Sequence, residues 1–158
     1  MTDVKNAKPP QILIILKPEC IDRFLIGEIL SRFDKAKLVP VAMKQLTATQ
    51  GEMMAHYTDC YKKYGPDITR QIVKRMTRGP CIFIIYRPHS DCKYSDCNLD
   101  LISYVRNDLI GATDPSKAAP GTIRGDLAKD IQYNLIHASD SLESATREIE
   151  LWFPELAI

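Results

Sequence analysis

The sequence predicts an α/β protein in which helices pack on a sheet, and three observations carry that prediction. Two continuous apolar runs, Ile12–Leu16 and Cys81–Tyr86, have strand length and no polar alternation, as strands covered on both faces do. Elsewhere the apolar spacing changes to the helical period over long stretches. No Asn-Gly hairpin signal is present, so the strands are joined by long connections. The resulting order, βαβααβααβα, implies a layered sheet carrying helices. Strand order is not legible in it.

Each element has its own justification. Residues 1–10 are polar, end in Pro9-Pro10 and read as a flexible tail before a single domain over 11–158. The first strand stops at Lys17-Pro18, because proline offers no ladder donor. Ile21, Leu25, Ile29 and Phe33, with Ile26 and Leu30, then make one helical stripe. Val39, Val41 and Met43 alternate with Pro40, Ala42 and Lys44 as a strand that Pro40 pushes towards an edge or a bulge. Gln50–Tyr61 and a second helix through Ile68, Ile72, Val73 and Met76 are separated by Tyr64-Gly65-Pro66 and closed by Gly79-Pro80. After the Cys81–Tyr86 strand, residues 87–98 are polar and irregular. Ile102, Val105 and Leu109 mark a helix ended by Gly111. A long loop to Gly125, a helix over Asp126–Tyr133, a short strand at Leu135-Ile136 and a last helix from Asp140 or Ser141 follow. Leu142, Ala145, Ile149 and Trp152 face the core there, and Asp140 with Glu143 fits a capping box.

Composition excludes several function classes. Lys plus Arg is 21 and Asp plus Glu is 20, a formal net charge of +1. Dedicated duplex binders need many basic side chains to neutralise phosphates, so nucleic acid is not an expected partner. A small anion needs only a few local cations. No apolar run approaches a membrane span and the N-terminus has no apolar signal core. Five cysteines, an odd number in a chain of this size, favour a reduced compartment, and the cytoplasm is the expected location.

Neither GxxxxGK[ST] nor GxGxxG occurs, so any phosphate site must draw its charge from side chains. The informative stretch is the last third. Pro120-Gly121-Thr122-Ile123-Arg124-Gly125-Asp126 sets a turn, a hydroxyl and a guanidinium before a helix, with Asp126 a candidate cap, and the arginine fork suits phosphate. His137 follows where an apolar strand meets a polar turn. Glu148 lies seven residues beyond Ser141, on the same helix face, and can approach His137 if that helix folds back. A carboxylate-oriented imidazole is a plausible nucleophile. Taken singly, such a histidine is more often structural.

Together these motifs resemble the nucleoside diphosphate kinase family from about Ile12 to Glu155. The resemblance rests on Asn134-x-x-His137-Ala138-Ser139-Asp140-Ser141 and Pro120–Asp126. Lys17-Pro18, His56-Tyr57, Gly79-Pro80 and Glu148-x-x-x-Trp152-Phe153 stand in the expected order around them. It implies a ferredoxin-like α+β sandwich, a four-stranded antiparallel sheet covered by helices. It also implies Mg²⁺-dependent transfer of a γ-phosphoryl group from a nucleoside triphosphate to a nucleoside diphosphate through a phosphohistidine. By motif match His137 is the nucleophile, with Glu148 and Ser139 orienting its ring. Arg124, Thr113 and Arg106 hold phosphates, Lys17 and Asn134 engage the sugar, and Tyr57 sits beside the catalytic centre. Ile131 walls the nucleobase, so broad base tolerance is expected. Mg²⁺ arrives on the nucleotide phosphates with no protein metal site. The implied assembly is a homo-oligomer, a hexamer or tetramer, with the loop Ser116–Thr122 in its contacts. A catalytically weak member acting as an oligomeric scaffold or as a nucleic-acid or regulatory partner is the alternative reading, and the intact set of site residues argues against it.

The chain departs from the family pattern in five places. Cys20 replaces a glycine and reads as packed, and Phe24 replaces a small residue. The segment between Tyr57 and Gly79 is about three residues long for the pattern, which puts Ile68 or Tyr64 where the base-stacking aromatic is expected. Arg106 lies five residues before Gly111, one more than usual, so Asn107 occupies the strict register. Residues 87–98 read as an insertion whose His89, Cys92 and Cys97 lack the spacing of a common zinc motif.

Overall fold

A computed structural model describes residues 9–94 and 100–156. Its frame is one four-stranded antiparallel sheet in the order β2-β3-β1-β4, the ferredoxin-like arrangement. β1 (Ile12–Leu16) is central and all five of its residues are buried. β3 (Cys81–Pro88) runs beside it and β4 (Ile136–Ala138) closes one edge. β2 (Leu38–Leu46) is the other edge, and its register shifts between Pro40 and Ala42, the irregularity expected at that proline.

Alternation along β1 divides the core. Ile12, Ile14 and Leu16 point to one face with Ile82, Ile84 and Tyr86, under Ile29 and Phe33 of α2 (Ile26–Lys35) and under Val105 and Ile110. Leu13 and Ile15 point to the other face with Phe83 and Ile85. They meet Met53 of α3 (Gln50–His56), Val73 and Met76 of α4 (Thr58–Met76) and Trp152 of α7 (Leu142–Trp152). Both apolar runs are therefore double-faced, as their lack of alternation requires.

Several boundaries differ from the sequence expectation, each for a local reason. The first helix is two: α1 (Pro18–Asp22) and α2 are separated at Phe24, which takes φ 57° and is 92% exposed. The strained backbone sits at Phe24, while Cys20 is helical and buried. Tyr57 separates α3 from α4, and Gly65 (φ 81°) breaks α4 at the expected punctuation. β3 continues through Arg87 and Pro88, which pair with Val39 and Leu38, so the first two residues of the expected insertion are sheet. Residues 95–99, with Cys97, lie outside the described residues, as do residues 1–8 of the tail.

The helix expected over Asp126–Tyr133 is instead α6 (Ile123–Leu127), following the short α5 (Leu101–Ser103). Its cap is Thr122, whose hydroxyl accepts from the Gly125 N–H at 3.1 Å, and extended backbone at Ala128 ends it. Asp126 is not the cap; it pairs with Arg32 of α2 at 2.8 Å and accepts from the Gly121 N–H. The last strand begins at Ile136 because Leu135 adopts φ 72°, so His137 lies within β4, not beyond it. α7 is capped by Ser141, which accepts from Ser144 N–H, while Asp140 accepts from the Ser144 hydroxyl. The expected Asp140–Glu143 box is thus replaced, and Leu142 is exposed.

Candidate active site

His137 stands opposite Ile15 in the β4–β1 ladder. Its neighbours Ile136 and Ala138 turn to the α2 face, so alternation directs His137 to the α7 side. There α7 brings Glu148 back over the strand. The His137 Nε2 lies 3.0 Å from Glu148 Oε2, and the Ser139 hydroxyl donates to the same oxygen at 2.7 Å. An ionised carboxylate only accepts, so Nε2 carries the proton and a neutral ring keeps its lone pair on Nδ1. Burial raises the Glu148 carboxyl, but the neighbouring His137, His56 and Ser139 more than reverse this and hold it below the ordinary glutamate value. Ser139 is itself locked, its hydroxyl accepting from Leu13 N–H at 3.2 Å.

His137 opens into a cleft of about 580 Å³ whose inner wall is cationic. Arg124 donates three hydrogen bonds, to the carbonyls of Asn134, Gly111 and Ile136 at 3.2, 3.1 and 2.7 Å. These bonds hold the guanidinium without neutralising it, and burial next to Arg106 lowers its pKa to about 10. Two glycines permit this packing. A side chain on Gly111 (φ 92°) would strike Thr122, and one on Gly125 would strike the Ala119 carbonyl. Lys17 donates to the Asn134 side-chain oxygen, and the Asn134 amide donates to Thr113 O at 3.1 Å. Burial brings Lys17 down to about 8, against the opposing pull of Glu19 and with Arg124 and Arg75 adding to the fall. Glu19 is the single carboxylate among the cleft residues.

Arg106 reaches the cleft through an irregular helix. Residues Tyr104–Ile110 form a π-helix, with Gly111 N–H donating to the Arg106 carbonyl five residues back. The wide turn absorbs the extra residue before Gly111. Arg106 reaches the cleft and donates to Ala138 O at 3.0 Å, and Asn107 lines the cleft beside it. At the outer end stand Tyr64 and Ile68 of α4 and, facing them, Ile131, which are 52%, 48% and 56% exposed. Ile131 sits on a turn in which the Asp130 carboxylate accepts from Gln132 and Tyr133 N–H. Both candidates for the base-stacking position thus lie in the same cleft. Tyr57 also lines it, its ring 6.0 Å from that of His137.

Residues 11–158 match the nucleoside diphosphate kinase family. The chain belongs to that family. A mouse relative, nucleoside diphosphate kinase 3, is 40% identical over 90% of this chain and 76% of its own length. The nucleoside diphosphate kinase of Rhodopirellula baltica is 42% identical over 89% of this chain and 84% of its own. The crystal structure of apo nucleoside diphosphate kinase from Encephalitozoon cuniculi superposes with a TM-score of 0.77 at 31% identity, covering 91% of this chain and 88% of that one. The chain is accordingly an enzyme of the nucleoside diphosphate kinase family, a phosphotransferase that works on nucleotides.

Within the family frame, every residue expected at the site is at the cleft or directly behind it, with Glu148 and Ser139 forming the layer under His137. Two neighbours carry no role in the sequence reading. Arg75 lines the cleft one helical turn beyond Gln71 and two beyond Ile68, a stripe the α4 periodicity could have placed there. His56 packs on His137 with ring centroids 4.5 Å apart, and its sequence signal, a lone buried histidine, is that of a core residue. The Cys20 thiol donates to Leu135 O at 3.0 Å and burial pushes it up to about 12, so it is packing material. His89 contacts Ser90 and Asp91 at the surface while Cys92 is buried. Among the described residues neither belongs to a metal-ligating group. No helix among the described residues is long and apolar enough to cross a membrane.

Proposed function

We propose that this enzyme moves the γ-phosphoryl group of a nucleoside triphosphate to a nucleoside diphosphate by a ping-pong route through a phosphohistidine at His137. The observation that carries this reading is the Glu148–His137 bond at 3.0 Å, which leaves Nδ1 unprotonated beside four cations that outnumber the one cleft carboxylate, Glu19. Nδ1 attacks phosphorus in line. The N–P bond forms as the bond to the β-γ bridging oxygen breaks, and its electron pair leaves on the diphosphate. A second diphosphate then attacks the phosphohistidine by the reverse path. Arg124, Arg106 and Lys17 meet the charge on the transferring group, with Thr113 beside them, and Lys17 and Asn134 hold the sugar. Tyr57 closes the wall beside the reacting ring. Tyr64, Ile68 and Ile131 cover the base by apolar contact, which tolerates any base.

Mg²⁺ enters as part of the nucleotide substrate. One carboxylate beside four cations, Lys17, Arg75, Arg106 and Arg124, fits a magnesium ion carried on phosphate oxygens and not one held by the protein. When bound, the ion offsets phosphate charge.

We further propose a homo-oligomer, a hexamer or tetramer, with the loop Ser116–Thr122 in its contacts and β2 offering an open sheet edge bearing exposed Val41 and Met43. Light scattering behind a sizing column reads its mass. The catalytic proposal is tested by incubation with ATP radiolabelled in its γ-phosphate and no acceptor. An acid-labile, base-stable phosphoprotein is expected, discharged by added diphosphate and absent from His137→Ala. Equal labelling of both proteins overturns the assignment.

A further inference from the structure

His56 holds the one buried side-chain nitrogen or oxygen among the described residues that has no hydrogen-bond partner, its Nε2. Only 2% of the residue is exposed. Buried polar atoms are nearly always satisfied, so an orphan against the reacting residue calls for a reason. The other ring nitrogen settles the tautomer. Trp152 Nε1 can only donate, and it lies 3.1 Å from His56 Nδ1, so Nδ1 accepts and a neutral His56 carries its proton on Nε2. Burial holds the ring neutral, with a pKa brought down to about 3 and His137 adding to the fall.

The same tautomer leaves no lone pair on His56 Nε2 for a metal. His56, His137 and Glu148 each place one ligand atom within 4.8 Å of the others. An ion on His56 Nε2 would need the lone pair there, which moves the proton to Nδ1 and sets it against the Trp152 N–H. What remains is a ring meeting a ring. His56 and His137 stand at 75° with centroids 4.5 Å apart, a T-shaped contact suited to an N–H or ring edge over a π face.

We propose that His56 is a positioning residue that locks the plane of the His137 ring, keeping the nitrogen not bonded to Glu148 aimed into the cleft. This deepens the phosphohistidine reading and rests on it. Imidazole χ2 is broad and nearly two-fold, so one hydrogen bond to Glu148 fixes the ring poorly. The T-shaped contact supplies a second restraint from another direction. Both restraints come from one face of α7, where Glu148 bonds His137 and Trp152, one turn on, bonds His56. α7 thereby sets the ring of the nucleophile twice, once directly and once through His56.

The test compares His56→Gln and His56→Phe with the unaltered enzyme in single-turnover phosphorylation by ATP. Nucleotide affinity and melting temperature are read in parallel. Gln keeps an oxygen to accept from Trp152 and an N–H to lay on His137; Phe keeps the ring and loses both. The Phe variant is expected to phosphorylate about tenfold more slowly with nucleotide affinity unchanged, since small misalignments at a reacting atom are costly. The Gln variant is expected within about threefold of the unaltered enzyme. Both substitutions disturb the core, so a fall in melting temperature with the Phe rate within about twofold of normal overturns the inference and leaves His56 a packing residue. Nitrogen-15 NMR of the unaltered protein covers failure of the variants to fold. A protonated, exchange-protected His56 Nε2 whose resonance moves on phosphorylation is expected, and a protonated Nδ1 overturns the inference. An unaltered enzyme that forms no phosphohistidine overturns the catalytic reading itself.

Discussion

The two ends of the cleft are built on opposite plans. At the inner end His137, Glu148, Ser139, Arg124, Lys17 and Asn134 are each held by a hydrogen bond. Glu148 receives His137 and Ser139, Arg124 spans three carbonyls, and Lys17 and Asn134 brace one another. At the outer end Tyr64, Ile68 and Ile131 are half-exposed and offer apolar surface. The difference shows where the free energy of folding is directed. Groups that must meet developing charge are oriented before substrate arrives, which spares reorganisation during the reaction. Under the proposed function the outer groups meet a base, which asks only for apolar surface and no hydrogen-bond pattern.

That contrast can be broken at the inner end with the largest effect. Arg124→Ala removes a fixed cation and is expected to lower kcat on the order of 10²–10³-fold, as removal of a charge-stabilising donor does. Steady-state rates with ATP and a diphosphate acceptor check it, and a fall below about threefold would place Arg124 outside the reaction. A graded probe is pH. Lys17 is charged below its value of about 8 and neutral above it, and an anion favours the charged form. kcat/KM is therefore expected to hold level up to about pH 8 and to fall beyond it, while at saturating nucleotide the same limb moves to higher pH. A Lys17→Arg enzyme that keeps the limb at the same pH would assign it to another group. The smallest effect belongs to the outer end. Ile68→Ala and Ile131→Ala are each expected to raise nucleotide KM about threefold with kcat unchanged, the signature of lost uniform binding. Their effects on ATP, GTP, UTP and CTP should run parallel. A large change confined to one base would show that these positions select.

The same contrast governs what the sequence makes legible. The inner end is dense with residue types whose chemistry is specific, so His137, Glu148, Arg124 and Asn134 could be named and the double-faced strands located without coordinates. The outer end uses Ile and Tyr, which look like any core or surface residue, and Tyr64 and Ile68 stayed alternatives until α4 placed both in the cleft. Boundaries failed where a single backbone angle decides them, at Phe24 and Leu135, both at positive φ without being glycine. Hydrophobic period carries no signal for that. His56 was hidden because its role lies in contact with another ring and not in its surroundings along the chain.

The wide helical turn at Tyr104–Ile110 bears on how such chains can diverge. An added residue in a regular helix would rotate everything upstream by about 100° and carry a guanidinium off its target. A turn that swells by one residue confines the change to itself, so chain length drifts while the side chains on either side stay put. Counting residues back from Gly111 picks out Asn107, while the fold brings Arg106 to the Ala138 carbonyl in the same cleft. Any reading of inheritance in this segment therefore has to follow the fold and not the count of letters.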